Sequence, residues 1–257
     1  MNIKAYKPAE LLKPFVKNYL IIDSPDEAVN RVLPNTSPAI AFRFKGRVNY
    51  VIDNSLCKVP TSAISGLRKS VRLINYLKDT ATIIVMFNEG GMGAFFREPL
   101  HELFEESVSL DNFVPKQKIL IIEEQLAEAQ NNHQRIAIVE QFLLSKLTYR
   151  NPDKLILTAL QKIHYWKGSI KIKELANTLY ISHDAFEKRF RKIVGTSPKQ
   201  FSSIVRMKSI VDQKRHSQSL TGIAIDAGYF DQPHFNKDFR LFTGQTPTDF
   251  FNSPVFW

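Results

Sequence analysis

The 257-residue chain predicts an α+β protein, a β-rich first half with a helical tail followed by an all-α half of two helix-turn-helix subdomains joined by a long linker helix. Three observations lead there. Residues 172–201 and 220–250 write one pattern twice. Leu175-Ala176 fall on Ile223-Ala224. After one extra residue in the second turn, Phe186, Lys188, Phe190, Arg191, Gly195, Pro198 and Phe201 fall on Phe235, Lys237, Phe239, Arg240, Gly244, Pro247 and Phe250. The first half instead alternates short apolar stretches with turn-forming residues. The charge is also uneven: residues 151–257 hold 16 Lys+Arg against 9 Asp+Glu, and residues 1–150 hold 19 against 16. Most of the formal +10 therefore sits with the repeat, where a phosphate backbone would attract it.

In residues 1–150, strands are expected at Ala39 to Phe44, Arg47 to Ile52 and Thr82 to Phe87. Pro34, Pro38, Gly46, Pro60, Gly66 and Gly90-Gly91 set them off, because these residues turn a chain or break its ladder. After Pro115 the apolar spacing becomes helical, over Ile119 to Ala129 and Gln134 to Leu147, with Ile136, Val139, Phe142, Leu143 and Leu147 on the inward side. Arg43, Arg47, Arg68 and Arg72 are candidates for lining a pocket for an anionic effector, with plain strand-surface charge as the alternative.

No enzyme is expected. His101 and His133 have no partner at ligand spacing, and Glu102, Glu105 and Glu106 read as the solvated side of a helix around Leu103-Phe104. The single cysteine, Cys57, forms neither an internal disulfide nor a zinc site of the usual spacing. Catalytic residues, metals and cofactors are thus not predicted. The longest apolar runs, such as Ile83 to Phe87 and Ile119 to Ile122, fall far short of the roughly 20 residues of a membrane span. The opening MNIKAYKPAE lacks the apolar core of a secretory signal, so a cytoplasmic protein with no membrane partner is expected.

In residues 151–257, Asn151-Pro152 marks the boundary, since the residue before proline is pushed out of helix. A scaffold helix is expected from about Asp153 to Lys167, with Leu155, Ile156, Leu160, Ile163 and Trp166 facing inward. Ile172 to Tyr180 is the first helix of repeat one. Ser182 caps the next helix, His183 to Val194, by accepting a backbone N–H that otherwise lacks a partner. There Ala185, Phe186, Phe190, Ile193 and Val194 are expected inside, leaving His183, Asp184, Glu187, Lys188 and Arg191 outward. A long helix from Pro198 to Lys214 ties the repeats together, and a polar loop spans residues 213–219. In repeat two, Ile223, Ala224 and Ala227 pack the short helix, Gly228 suits a positive-φ turn, and Asp231 caps a helix with Pro233 in its first turn. Phe235 and Phe239 are expected inside and Gln232, His234, Asn236, Lys237 and Arg240 outside. A short helix, a tight turn and a longer basic helix, twice over, suit two successive major-groove segments of duplex DNA. Gln and Asn match adenine edges, while Arg and Lys match guanine edges or phosphates.

The second half resembles the DNA-binding domain of the AraC/XylS family of bacterial transcription regulators over residues 152–253. The residues that carry the resemblance are Ala224-Ile225-Asp226-Ala227-Gly228-Tyr229, Phe235-Asn236-Lys237-Asp238-Phe239-Arg240 and Gly244-Gln245-Thr246-Pro247-Thr248-Asp249-Phe250. By position, the family's base-reading sites fall on Asp184, Glu187 and Lys188, and on Gln232, Pro233, Asn236 and Lys237. Two departures stand out: Tyr180 replaces the usual turn glycine of repeat one, and Ile210 stands where a small residue is usual. Arg206 is read as a structural residue bracing the subdomains. In the first half, Tyr6-Lys7-Pro8, Leu33-Pro34-Asn35 and Phe87-Asn88-Glu89-Gly90-Gly91 resemble the cupin-like domain often fused to such a reader, which implies effector sensing or dimerisation.

The expectation is a sequence-specific transcription regulator that inserts helices at about 183–194 and 232–243 into DNA. The alternative is an effector-binding or interaction module with conditional or vestigial DNA affinity, suggested by Asp184, Glu187 and Tyr180. Double-stranded DNA is the expected partner. A small-molecule effector, RNA polymerase and a second copy of the chain are further candidates.

Overall fold

The structure, a computed structural model, describes residues 1–148, 152–214, 220–229 and 231–252. The expected boundary residue Asn151, most of the expected loop at 213–219 and the side chain of Ile223 lie outside the described residues. The chain forms two compact units. One comprises Met1–Asn30, Ser37–Gly66 and Leu73–Asn151, and the other Arg31–Thr36, Leu67–Arg72 and Pro152–Trp257.

The strands are β1 (Asn2–Tyr6), β2 (Val16–Ser24), β3 (Ala28–Val32), β4 (Ala39–Lys45), β5 (Val48–Ile52), β6 (Ser55–Lys58), β7 (Ser62–Ser65), β8 (Arg72–Tyr76), β9 (Thr80–Phe87) and β10 (Ser107–Ser109). A six-stranded sheet runs β1-β2-β9-β4-β7-β10 and a four-stranded sheet runs β3-β8-β5-β6. Helices α1 (Lys116–Glu128) and α2 (Asn132–Lys146) follow. Tyr19, Ile21, Ile40, Phe42, Ile64, Ile83, Val85 and Phe87 pack with Leu126, Val139, Phe142 and Leu143 of the two helices, and the Phe42 and Phe142 rings meet edge to face at 5.8 Å. Ile22 and Ala63 of the same sheet pack with Val48, Val59 and Tyr76 in a second core. The central strands of the large sheet are thus covered on both sides. That is why β9 reads as a continuous apolar run rather than an alternating one.

The helix expected around Leu103-Phe104 is a single 3-10 turn, Leu100–Leu103. Glu105 then takes a left-handed φ of 69° and the chain enters β10, which pairs antiparallel with β7. A methyl on Gly66 would sit 2.1 Å from the Leu103 carbonyl oxygen, so a close backbone approach rather than a helix shapes this corner.

The second unit contains α3 (Lys154–Tyr165), α4 (Ile172–Thr178), α5 (His183–Val194), α6 (Pro198–Lys214), α7 (Leu220–Asp226), α8 (Gln232–Thr243) and α9 (Pro247–Asn252). Helix α3 stops short of the predicted end, so Trp166, expected inside, is 54% exposed. Ala185, also expected inside, is exposed. Helix α6 packs against α3 and α5 on one side of the repeat and α7 and α8 on the other. Each repeat closes on three rings. Phe190 meets Phe186 and Phe201 edge to face, both at 5.6 Å, and Phe239 meets Phe235 in a tilted pair at 5.6 Å and Phe250 edge to face at 5.5 Å. All six rings are buried, each contributing roughly 1.5–3 kcal/mol of apolar burial. No helix among the described residues is long and apolar enough to cross a membrane.

Candidate nucleic-acid interface

The local chemistry that starts and stops the two outer helices is the same. In α5 the Ser182 hydroxyl accepts from the Ala185 N–H at 3.4 Å, and Gly195 ends the helix at φ 88°. In α8 the Asp231 carboxylate accepts from the His234 N–H at 2.8 Å, and Gly244 ends it at φ 78°. Caps of this kind satisfy one orphan donor each and stabilise a helix start by about 1 kcal/mol. The preceding turns differ. Gly228 has φ 79° with open space where a side chain would begin, whereas Tyr180 takes φ 54° and is 98% exposed.

The phenylalanines bury one side of each helix and leave the other in solvent. On α5, His183, Asp184, Lys188 and Arg191 are exposed and Glu187 is half-buried. Part of this charge is paired within the helix. Arg191 donates to Glu187 Oε1 from Nη2 at 2.8 Å and from Nε at 3.2 Å, and His183 Nδ1 lies 3.5 Å from Asp184 Oδ1. On α8, Gln232, Pro233, His234, Asn236, Lys237 and Arg240 are all exposed, with no carboxylate among them.

Two ion pairs tie these helices to their supports. Asp153, the N-cap of α3, accepts the Ile156 N–H on one oxygen at 3.2 Å and the Arg189 Nε–H on the other at 2.6 Å. Burial pushes the Asp153 carboxyl up, but the Arg189 hydrogen bond, backbone N–H groups and the guanidinium charge together hold it below the usual carboxylate range. In repeat two, Asp238 Oδ2 accepts the Tyr229 hydroxyl at 3.1 Å, with Arg206 Nη2 at 3.9 Å and His234 Nε2 at 3.7 Å. The Arg206 guanidinium lies over the Tyr229 ring at 4.5 Å, an arrangement that favours a cation. Burial is the main reason the Tyr229 hydroxyl is pushed well above its ordinary value. Sequence reasoning passed over Arg189 and Asp238. Their shared place, directly after Lys188 and Lys237, was the available signal.

The four arginines considered for an anionic pocket divide between the units. Arg43 and Arg47 belong to the first and Arg68 and Arg72 to the second. Arg43 donates to the Val59 carbonyl at 3.2 Å and the Thr61 hydroxyl at 3.0 Å, and burial lowers its pKa. Arg68 donates to the carbonyls of Ser70 and Leu33 at 3.4 and 3.3 Å. Arg47 is exposed and Arg72 half-buried.

Residues 175–253 match a family described as a helix-turn-helix domain, and residues 4–109 match a domain of unknown function, DUF6597. Over 118 residues the chain is 30% identical to the Msm operon regulatory protein of Streptococcus mutans, covering 44% of this chain and 42% of that one. It is 29% identical over 118 residues to an uncharacterised HTH-type transcriptional regulator of Haemophilus influenzae, covering 45% of this chain and 40% of that one. The match thus spans less than half the length of these curated relatives. Among solved structures, ToxT of Vibrio cholerae is similar at 10% identity and a TM-score of 0.43, with 97% of this chain and 98% of that one covered. The second half is an AraC-type helix-turn-helix domain, joined in this chain to a DUF6597 domain.

Proposed function

We propose that this chain is a transcription regulator that reads an asymmetric duplex site with α5 and α8 in successive major-groove segments. The observation that carries this reading is the pair of capped helices, each seated on an equivalent ring triad and both packed on α6. Such helices present their exposed faces to a groove while the buried rings hold them in place. On α8, Gln232 and Asn236 have the donor and acceptor pair that matches an adenine edge, and Lys237 and Arg240 supply guanine or phosphate contacts. On α5, Lys188 and Arg191 face phosphates, and Glu187 is suited to accept from a cytosine amino group. Each base contact is worth roughly 1–3 kcal/mol, and the phosphate contacts make affinity fall with salt.

The test is selection from a random duplex library by the full-length chain at near-physiological salt. The expected product is a two-part motif with centres about ten base pairs apart. Enrichment of one half alone, or of nothing, overturns the double-reader proposal.

A second reading, DNA affinity conditional on an effector, is favoured by the self-paired charges of α5. The Glu187–Arg191 pair leaves that helix less cation to offer a phosphate than α8 offers. A motif that appears only when a small molecule is added supports it, and strong enrichment by the chain alone removes it.

A further inference from the structure

We propose that each recognition helix is aimed by its own ion-pair brace to the helix that opens its repeat, Asp153 to Arg189 for α5 and Arg206 to Asp238 for α8. Arg189 and Asp238 are thereby positioning residues for base reading. The inference rests on the proposed DNA-reading function and deepens it.

The argument begins with equivalence. Helices α3, α4 and α5 correspond in order to α6, α7 and α8, and Phe186 and Phe190 correspond to Phe235 and Phe239. Arg189 and Asp238 therefore occupy the same position, one residue before the central ring of the triad. In each repeat that residue reaches back to the opening helix, and the signs are exchanged. Repeat one places the cation on the recognition helix and the carboxylate on α3, at 2.6 Å. Repeat two places the carboxylate on the recognition helix and the cation on α6, at 3.9 Å, with the Tyr229 hydroxyl on the same oxygen at 3.1 Å. What the two repeats share at this position is an attraction rather than a residue type.

The phenylalanine triads already hold the helices in place, so the braces have a different task. Ring packing sets how far a helix stands from its support and constrains its rotation weakly, because dispersion contacts have little directionality. A charge attraction on the flank resists rotation about the helix axis, strengthened in repeat one by the Arg189–Asp153 hydrogen bond and in repeat two by the Tyr229 hydroxyl on the same Asp238 oxygen. Successive residues differ by about 100° around that axis, so a modest rotation changes whether Lys188 or Glu187, and Asn236 or Lys237, faces a base edge. The braced residues adjoin these outward positions in sequence. The two braces share no residue, so each half of the interface is aimed separately.

The test is the same library selection on full-length Asp153→Asn, Arg189→Gln, Arg206→Met and Asp238→Asn, each checked by thermal melting. Asparagine at 153 keeps an oxygen to cap α3 and removes only the charge. The first two variants should lose about fivefold selectivity in the half-site read by α5 and leave the other half intact, and the last two the reverse, the scale of one partly exposed ion pair. Arg206→Lys, which keeps the charge, should restore most of the selectivity lost in Arg206→Met. Where the wild-type chain selects a two-part motif, equal loss in both half-sites or unchanged selectivity in the variants overturns the brace. A wild-type chain that selects no two-part motif instead overturns the DNA-reading proposal and this inference with it.

Discussion

The two helix-turn-helix repeats share a framework and differ in surface. Both begin their outer helix with a side-chain cap, end it with a left-handed glycine and seat it on three phenylalanines. The first then presents Asp184 and Glu187 beside its cations, with a tyrosine in the turn, whereas the second presents Gln232, Asn236, Lys237 and Arg240. The framework positions recur because a small helical unit has few ways to bury one side. The outward positions are free to diverge, so they are where the two copies differ in chemistry.

The sharpest challenge to the shared framework is truncation of its central rings. Phe190→Ala and Phe239→Ala should each destabilise the protein by about 3–5 kcal/mol in denaturant unfolding, since both side chains are fully buried. A cost below about 1 kcal/mol in one copy would mean that copy does not depend on its triad.

The difference in surface is tested by charge. Lys237→Ala should weaken DNA binding by about 1–3 kcal/mol and lower the salt slope by about one. Glu187→Gln, which releases Arg191, should tighten non-specific binding and steepen the slope. Titrations at several salt concentrations measure both. Identical responses to the two substitutions would remove the distinction between the helices.

The turns offer a smaller effect of opposite sign. Gly228→Ala forces a side chain into a left-handed conformation and should destabilise by about 1 kcal/mol even though the space is open. Tyr180→Gly relieves the same strain and, after the entropy that glycine adds to the unfolded chain, should stabilise by up to about 1 kcal/mol. Thermal melting separates them by the direction of the shift.

The least effect belongs to the brace of repeat one. Asp153 has a folded pKa below its ordinary value of 3.8, so its contribution is present above that value and is lost as the pH falls through the folded one. The stability difference between wild type and Asp153→Asn should therefore narrow on acidification. A difference that stays constant into acid would show that the charge contributes nothing.

Much of this arrangement was legible in the residues. Caps, turn glycines and ring spacing are local, because a Ser182 hydroxyl or a positive-φ Gly228 acts on backbone a few residues away. The inward and outward faces of α5 and α8 followed from the 3.6-residue period, apart from Ala185, whose small side chain carries little periodic signal. Trp166 misled for a related reason. It fits the apolar spacing of α3, but the helix ends before it and the backbone turns away at Lys167, φ 49°. In the first unit, the glutamates near Leu103 suggested a helix, while the approach of Gly66 to the Leu103 carbonyl sets a corner there instead.

The sequence by itself determined the doubled helix-turn-helix and the residues that start, stop and bury its outer helices, because those choices are made by short-range periodicity and backbone preference. Only the tertiary structure decided which partner each charge takes. Arg191 is paired with Glu187 within its helix, Arg189 reaches across 36 residues to Asp153, and Asp238 gathers Tyr229, His234 and Arg206. Electrostatic attraction depends on distance in space, and the packing of α3, α5, α6 and α8 sets those distances.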